Sequence, residues 1–335
     1  MKPGFDGRED QMSARDCANC PKIHAEPEER WVAPRRDEPL SGLLNVDKPP
    51  GMTSHDVVDA VRRLAGQRKV GHAGTLDPMA TGVLLVCLGQ ATRVAEYLMA
   101  GRKRYRAAIT LGMTTDTYDA EGEITSSGGR TDFSREDALA ALAALSGPIE
   151  QVPPIYSALK RHGQPLYKLA RQGKTVELKA RPVVIYEIAL LDWKAPSLIV
   201  EVTCSSGTYV RSLAHDLGQK LGGGAYLASL VRLSSGSFDL EGAVSLARLE
   251  EAFRYGQESI YLIPTDEALL DWPAIVVGAD EARCVVHGQP VPGNQPSAAE
   301  AKLCRAYSMQ GEFLAIMSYE PELDRWQPKK VFATA

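Results

Sequence analysis

The stretch Gly71-His-Ala-Gly-Thr-Leu-Asp77-Pro-Met-Ala-Thr-Gly82 is the strongest candidate for a functional site in this sequence. Glycine or alanine at positions 71, 74, 80 and 82 lets the backbone turn sharply and approach a ligand closely. Pro78 holds Asp77 extended, and a buried strand is predicted to follow at residues 83–88. A carboxylate on such a rigid loop suits a nucleophile or a general base. On the residues alone, however, an Asx-type turn that merely reverses the chain is slightly favoured.

A carboxylate in a closed site needs a nearby cation to stay charged once water is excluded. Arg211, within Gly207-Thr-Tyr209-Val-Arg211, is the candidate partner for Asp77. Tyr209 and Arg211 stand two residues apart, so an extended segment would turn both to one side. An arginine on an ordinary surface helix fits the same residues equally well.

Two basic stretches that contain aromatic residues contrast with the net charge of -4. Arg102-Lys-Arg-Tyr105-Arg joins four cations to one ring, and residues 160–181 hold seven Lys or Arg against one acid, Glu177. Such segments can bind phosphates while a ring stacks on a base, which favours an RNA partner. The alternative for the first stretch is an edge strand protected by charge, with Tyr105 half-buried. Lys329-Lys330 fits a solvated terminus better than an RNA contact.

The composition excludes several classes of protein. The 335 residues are 44% hydrophobic and 24% charged, which is typical of a globular chain and not of a collagen-like or wholly disordered one. The six cysteines are scattered and do not form a secreted disulfide framework. No stretch approaches the roughly 20 apolar residues that span a bilayer, and dinucleotide-binding and phosphate-loop motifs are absent from the sequence. We therefore expect a cytoplasmic protein.

Three regions are predicted from the distribution of apolar residues. Residues 1–40 are charged and aperiodic and are predicted to be a disordered tail. Cys17, Cys20 and His24 in this tail offer at most three zinc ligands, so two free thiols are favoured over a metal site. Pro264 and Trp272-Pro273 mark a boundary, beyond which a small β-rich domain is predicted over residues 270–335. The short apolar runs behind that prediction are residues 275–277, 285–286, 303–307, 313–317 and 330–332.

Helix and strand patterns supply the framework for these motifs. Thr53 and Asp56 form the pattern of a capping box before a helix. A second capped helix is predicted over residues 134–145, with its leucines at 139, 142 and 145 facing inward. Further helices are predicted near 91–99, 210–221 and 246–253, and strands near 41–46, 83–88, 105–111, 183–191 and 198–204.

The residues around Asp77 resemble the catalytic motif of the TruB-type tRNA pseudouridine synthases. The resemblance runs in chain order over about residues 41–335 and leaves out the tail. Besides residues 71–84, it is carried by Leu44-Asn-Val-Asp-Lys48-Pro-Pro-Gly-Met-Thr-Ser, Lys103-Arg-Tyr105-Arg, Leu111-Gly-Met-Thr-Thr-Asp116-Thr-Tyr-Asp-Ala-Glu-Gly, Gln151-Val-Pro-Pro-Ile-Tyr156-Ser-Ala-Leu-Lys160, Arg181-Pro, Cys204-Ser-Ser-Gly-Thr-Tyr209-Val-Arg211 and Leu230-Val-Arg-Leu.

This resemblance implies an α+β pseudouridine synthase fold, in which helices flank a mixed, mainly antiparallel β-sheet, followed by a C-terminal PUA-like RNA-binding domain. The catalytic domain would span residues 41–265, with a basic RNA-binding insertion at about 152–182. The implied reaction isomerises uridine to pseudouridine at position 55, in the TΨC loop of tRNA. The expected partner is the T-arm of tRNA. No metal, organic cofactor, membrane or obligate protein partner is expected, and a monomer is expected.

The resemblance also assigns roles to individual residues. It implies that Asp77 is the nucleophile and that Arg211 pairs with it. It implies that Tyr105 stacks on the flipped uracil and helps to remove the proton from C5. The residues expected to bind the substrate are His72, Tyr105, Tyr209, Leu230 and Lys48, and those expected to bind RNA are Lys160, Arg161, Lys168 and Arg171.

Two other functions are consistent with parts of the sequence. One is a tRNA-binding or tRNA-folding protein whose catalysis is dispensable, although the intact Asp77, Tyr105 and Arg211 argue against a purely binding role. The other is a retaining glycosidase that uses Asp77 with Asp116. That enzyme would need the two carboxyl groups about 5–5.5 Å apart and would bind no RNA.

Overall fold

The computed structural model describes residues 38–156, 160–161, 164–165, 178–293 and 302–333. The predicted tail up to residue 37, with Cys17, Cys20 and His24, lies outside the described residues, as does most of the predicted basic insertion. Within the described ranges, no helix is long and apolar enough to cross a membrane.

The α-helices begin and end where local signals place them. In the predicted capping box, Thr53 Oγ1 accepts the Asp56 N–H at 3.1 Å and Asp56 Oδ2 accepts the Thr53 N–H at 2.8 Å. The first helix then ends at Gly66, whose φ of 63° is left-handed. The helices in the described part of the chain are α1 (Ser54–Ala65), α2 (Ala95–Ala100), α3 (Arg135–Ala143), α4 (Val210–Leu221), α5 (Leu246–Arg254) and α6 (Ala279–Val286).

The structure corrects three details that the sequence suggested for these helices. The helix predicted near 91–99 begins as a 3-10 turn, Gly89–Val94, and becomes α-helical only in α2. Leu139 is 39% exposed, because the buried side of α3 is set by Ala138 and Leu142, four residues apart. Residues 285–286, one of the apolar runs from which a β-rich domain was predicted, instead end α6, whose first turn is capped by Glu281.

The strands in the described part of the chain form one sheet of ten strands, a smaller one of five strands and two sheets of two strands each. The strands are β1 (Gly42–Lys48), β2 (Val70–His72), β3 (Thr81–Leu88), β4 (Lys103–Leu111), β5 (Met113–Thr115), β6 (Ile124–Ser127), β7 (Gly147–Gln151), β8 (Lys160–Arg161), β9 (Gln164–Pro165), β10 (Arg181–Lys194), β11 (Ser197–Cys204), β12 (Ala225–Ser235), β13 (Phe238–Asp239), β14 (Val244–Ser245), β15 (Ala274–Val277), β16 (Val291–Pro292), β17 (Leu303–Ser308), β18 (Phe313–Glu320) and β19 (Arg325–Val331).

The larger sheet has the order β14-β1-β3-β12-β4-β11-β10-β7, with β2 and β13 attached to β3 and β12. Its neighbouring strands are antiparallel except for the pairs β1–β14 and β3–β12. The predicted mixed, mainly antiparallel sheet flanked by helices is therefore confirmed. Because β4 lies between β12 and β11, the alternative of a protected edge strand around Tyr105 is wrong.

The strand β12 has no counterpart among the sequence predictions. It separates β3 from β4 and so lies at the middle of the larger sheet. Its pairing with β4 is interrupted between Leu227 and Ser229 and again between Arg232 and Ser234. Each interruption shifts the period of two that identifies a strand in sequence. The alternation of apolar and polar residues in β12 is therefore too irregular to reveal it.

The smaller sheet, in the order β15-β17-β18-β19-β16, confirms that the C-terminal region is rich in strands. Trp326 is 1% exposed at the centre of its core. A second apolar cluster joins this sheet to the larger one, since Ile316 and Phe332 pack with Leu269 and with Val94. The C-terminal sheet therefore lies against the segment that leads into α2.

Candidate active site

Five of the residues predicted from the sequence meet at one cavity of about 530 Å³. They come from four separate parts of the larger sheet and its connections, namely the loop before β3, strands β4 and β12, and the start of α4. These residues are Asp77, Tyr105, Tyr209, Arg211 and Leu230.

The loop that carries Asp77 is held through its backbone on either side of the carboxylate. Ser54 Oγ, at the start of α1, accepts the Leu76 N–H at 2.8 Å and donates to the Leu76 carbonyl at 3.1 Å. Lys48 Nζ donates to the carbonyls of Pro78 at 3.1 Å and Pro49 at 2.8 Å. These contacts fix the backbone one residue before and one residue after Asp77.

Arg232, on β12, fixes the preceding part of the loop. Arg232 is only 1% exposed. Nε donates to the Val83 carbonyl at 2.6 Å, and the two terminal nitrogens donate to the carbonyls of Thr75 at 3.3 Å and Gly74 at 3.2 Å. A buried guanidinium is stable here because backbone oxygens satisfy its donors. Arg232 was not singled out in the sequence analysis, because its partners lie about 150 residues away.

Replacing Gly82 by alanine is expected to lower the free energy of unfolding by roughly 3–5 kcal/mol. Gly82 has a φ of +95°, and an added Cβ would lie 2.3 Å from the Arg232 carbonyl oxygen on the paired strand. Gly71→Ala is the matched control, because nothing lies within 4 Å of its added Cβ. Urea unfolding of both variants tests this expectation, and equal midpoints would contradict it.

Arg211 links two carboxylates. Its Nε lies 2.9 Å from Asp77 Oδ2, and its Nη2 donates to Asp77 Oδ1 at 3.2 Å. Its Nη1 donates to Asp119 Oδ2 at 3.1 Å and to the Thr117 carbonyl at 3.2 Å. Nη2 also donates to the Tyr156 carbonyl at 2.9 Å. The residue is 4% exposed, so the alternative of an ordinary surface arginine is wrong.

Asp119 is the second carboxylate of the site, and the sequence analysis assigned it no role. It is 3% exposed, and its Oδ1 accepts the Thr117 hydroxyl at 2.6 Å and the Glu121 N–H at 3.0 Å. Asp116, proposed as the partner of Asp77 in a glycosidase, is instead exposed and accepts the Glu123 N–H at 2.8 Å. Asp116 is also not among the described residues that line the cavity, so the glycosidase alternative lacks the partner carboxylate that it assigned to Asp77.

The segment that carries Tyr209 and Arg211 is not extended. Tyr209 stands at the N-terminal cap of α4, and Arg211 lies in the first helical turn. The side chain of Gln151 binds the backbone of Tyr209 on both sides, with Oε1 accepting the N–H at 2.7 Å and Nε2 donating to the carbonyl at 3.0 Å. The start of the helix, and not strand alternation, directs both side chains to the cavity.

Tyr105 lies in the middle of the larger sheet, on β4, and is 9% exposed. Burial raises the pKa of its hydroxyl, and the nearby Arg232 opposes that shift. Lys103, two residues earlier on the same face, donates from Nζ to the carbonyls of Met99 and Gly101 at 2.6 Å each. Burial lowers the pKa of Lys103 to about 8.

Burial and three neighbouring charged groups set the pKa of Asp77. Burial raises the pKa of Asp77 above its ordinary value, Arg211 opposes this shift, and the charge of Asp119 adds to it. Lys48 also counteracts the shift, although its own pKa is lowered to about 8 by burial. The carboxylate is therefore held between one guanidinium and a second negative charge.

The other predicted residues lie elsewhere. His72, on β2, pairs with Val86 on β3 and is not among the described residues that line the cavity. Lys48 lies beneath the Asp77 loop and acts on it through the backbone. The side chains of the residues predicted to bind RNA lie outside what the structure describes, namely Lys160, Arg161, Lys168 and Arg171.

Two family models match consecutive parts of the chain. The model described as "TruB family pseudouridylate synthase (N terminal domain)" matches residues 62–210, and "tRNA pseudouridylate synthase B C-terminal domain" matches residues 211–270. The first match includes Asp77, Tyr105 and Asp119, and the second begins at Arg211. The fold is that of a pseudouridine synthase, as the sequence predicted.

Curated relatives narrow the class to one family. The chain is 45% identical over 294 residues to tRNA pseudouridine synthase B of Dehalococcoides mccartyi, covering 88% of this chain and 97% of the relative. It is 42% identical over 301 residues to the protein of that name from Chromohalobacter salexigens, covering 90% and 97%. A structure titled "Crystal Structure of a Cbf5-Nop10-Gar1 Complex" has a TM-score of 0.68 at 26% identity, covering 92% of this chain and 91% of that one. The chain belongs to the TruB family.

Proposed function

We propose that this protein isomerises uridine to pseudouridine at position 55, in the TΨC loop of tRNA. The observation that carries the proposal is the ion pair of Asp77 and Arg211, which lies beside Tyr105 in a single cavity. The names of the curated relatives support tRNA as the substrate. The protein is proposed to act in the cytoplasm, as a monomer and without an obligate protein partner.

The chemistry requires a pocket that takes the base out of the RNA. The reaction breaks the bond between C1′ and N1, turns the uracil, and joins C1′ to C5, and water would compete for a glycosyl intermediate. Flipping a nucleotide costs a few kcal/mol, and stacking on an aromatic ring offsets roughly 1–3 kcal/mol of this. Tyr105 is proposed to supply the stacking, with Tyr209 and Leu230 lining the nucleotide pocket.

Asp77 is proposed to be the nucleophile. Its ion pair with Arg211 orients the carboxylate, and the backbone contacts of Ser54 and Lys48 fix its loop, so little reorganisation is needed when substrate arrives. The proton at C5 leaves at the end of the reaction. Because burial raises the pKa of Tyr105, its hydroxyl is protonated in the free enzyme. Tyr105 is therefore proposed to relay the proton: its hydroxyl oxygen accepts the proton from C5 as its own O–H proton passes to water.

The remaining binding surface is proposed from the sequence resemblance. The C-terminal sheet is proposed to belong to a PUA-like RNA-binding domain over residues 270–335, after a catalytic domain over residues 41–265. The basic insertion at about 152–182 is proposed to bind the tRNA arm, because phosphate contacts supply much of the affinity of such complexes. Its contacts are assigned to Lys160, Arg161, Lys168 and Arg171, and contact of His72 with the nucleotide stays a prediction.

The proposed function is tested with an unmodified tRNA transcript. We expect the wild-type protein to form pseudouridine at position 55 and to form none at that position in a transcript that carries cytidine there. Chemical mapping of pseudouridine along the whole transcript provides the readout. Binding of the tRNA without product would support the RNA-folding alternative, and product at another position alone would reject the proposed target.

Replacing Tyr105 by leucine is expected to lower the single-turnover rate by at least about 100-fold, on the scale of a lost acid–base group. The Kd for tRNA is expected to stay within about threefold, because phosphate contacts dominate affinity. Tyr186→Leu is the matched control, since Tyr186 is 46% exposed and stacks with Arg102 away from the cavity lining. A large loss of affinity in Tyr105→Leu would mean that the ring mainly binds.

As the pH is lowered, the rate of pseudouridine formation is expected to fall with a midpoint above 3.8, the ordinary pKa of an aspartate, because the pKa of Asp77 is raised. The ionised carboxylate is the reactive form, so activity is lost as the pH drops through that pKa. Asp119→Asn should move the acid limb to lower pH, since the charge of Asp119 raises the pKa of Asp77. Asp116→Asn should leave it in place. A wild-type limb at 3.8 would contradict this prediction.

A further inference from the structure

The segment that contains the 3-10 turn Gly89–Val94 and α2 lies between the cavity and the C-terminal sheet. Glu96, Met99 and Ala100 line the cavity.

Arg93 and Tyr97, one helical turn apart, face away from the cavity. Arg93 donates to the Val331 carbonyl and lies 4.9 Å from the Phe332 ring, while the Tyr97 ring packs edge-on against Trp272 at 4.9 Å. One wall of the cavity is thus fastened to the C-terminal sheet.

Lys330, on β19, reaches across this boundary. Its Nζ donates to the Arg93 carbonyl at 2.5 Å and forms an ion pair with the carboxylate of Glu96. It also lies 5.2 Å above the Tyr97 ring. The Lys330 side chain is only 19% exposed, so it is not the solvated terminus that the sequence suggested. The hydrogen bond from Lys330 also lowers the pKa of Glu96, which keeps this carboxyl group ionised.

An ionised carboxylate at the mouth of an RNA-binding cavity is unfavourable, because it repels the phosphates that must approach. Among the described residues that line the cavity, the carboxylates are Asp77 and Glu96. Arg211 pairs with Asp77 inside the cavity. The charge of Glu96, whose side chain is 60% exposed, is compensated from outside by Lys330.

We propose that Lys330 is a positioning residue for the substrate. It neutralises Glu96 and holds the Glu96 carboxylate toward the C-terminal sheet, so that RNA phosphate can reach the cavity. This inference rests on the proposed function, since it takes the substrate to be RNA. Under this proposal the C-terminal sheet supplies a residue, Lys330, that acts at the mouth of the cavity, in addition to its proposed role in binding RNA.

The test is a double-mutant cycle measured on the full chain with the tRNA transcript. Lys330→Gln is expected to raise KM roughly fivefold with kcat within twofold, on the scale of one uncompensated charge at the rim of an interface. Glu96→Gln should leave KM near the wild-type value, and adding it to Lys330→Gln should restore KM, because the carboxylate that repels phosphate is gone. Lys330→Arg should retain a wild-type KM. The same variants in an Asp77→Asn background give Kd without turnover.

Lys329→Gln is the matched control, because it removes an equal charge one residue away and leaves the Lys330–Glu96 ion pair in place. If Lys330→Gln and Lys329→Gln raise KM equally, or if Glu96→Gln fails to restore KM, Lys330 acts by general attraction of RNA and the proposal is overturned. Thermal unfolding midpoints identify any variant that fails to fold. If Lys330→Gln is such a variant, the KM of Lys330→Arg is the deciding measurement: a wild-type value supports the proposal and a raised value overturns it. A wild-type protein that binds tRNA and forms no pseudouridine would reject the proposed function alone, since the Kd cycle would still report on Lys330.

Discussion

Replacing Asp77 by asparagine is expected to reduce the rate of pseudouridine formation by at least about 10⁴-fold, as removal of a nucleophile does in other enzymes. The amide has nearly the same shape and can still contact Arg211, so the cavity should keep its form. It carries no negative charge and is a poor nucleophile. The loss should therefore appear in the single-turnover rate, and the Kd for the tRNA transcript should stay within about threefold.

The matched control for this substitution is Asp116→Asn. Asp116 has the same side chain, is exposed, and binds the backbone of its own turn. We expect it to retain nearly full activity. Product formation by Asp77→Asn at more than a tenth of the wild-type rate would refute the assignment of the nucleophile, and equal losses in both variants would point to a shared effect on folding.

Replacing Arg211 by methionine is expected to lower the free energy of unfolding by about 3–5 kcal/mol, the scale for removing one partner from a buried ion pair. The substitution leaves two carboxylates, Asp77 and Asp119, without the guanidinium that joins them. It also leaves the carbonyls of Thr117 and Tyr156 without this donor. Urea unfolding measures the loss of stability, and pseudouridine mapping should show no detectable product.

The two carboxylates are not expected to contribute equally to that loss. The Asp119 side chain is 4% exposed, whereas that of Asp77 is 33% exposed and faces the cavity. Adding Asp119→Asn to Arg211→Met should therefore recover more stability than adding Asp77→Asn, because it removes the more deeply buried unpaired charge. A loss below about 1 kcal/mol in Arg211→Met, the scale of a surface pair, would contradict this account.

Local signals explain which parts of the structure were predictable from sequence. The capping box at Thr53 and the glycine after α1 depend on residues a few positions apart, so the chain itself reveals them. The glycines and the proline around Asp77 likewise indicate a tight functional loop. Asp119 and Arg232 have roles that depend on partners about 90 and 150 residues away, respectively. No pattern of spacing within one segment could reveal those roles.

The resemblance to the TruB-type synthases assigned roles that the residues alone left open. From the residues, Asp77 fitted a simple turn slightly better than a site, and Arg211 fitted a surface helix as well as an ion pair. The strand alternation used to bring Tyr209 and Arg211 together was the wrong physical reason, because both lie at a helix start fixed by Gln151. The two side chains nevertheless meet at the cavity.

The position of β12 has a consequence for synthesis on the ribosome. The two strands that flank it, β3 and β4, are complete by residue 111, but the strand that separates them begins only at residue 225. Contacts of such long range form slowly and leave strand edges open in the meantime. A nascent chain therefore exposes the inner edges of both strands until more than a hundred further residues have been translated. Until then it lacks Arg232, the residue that braces the Asp77 loop, so no truncated product that stops before this strand can carry the activity.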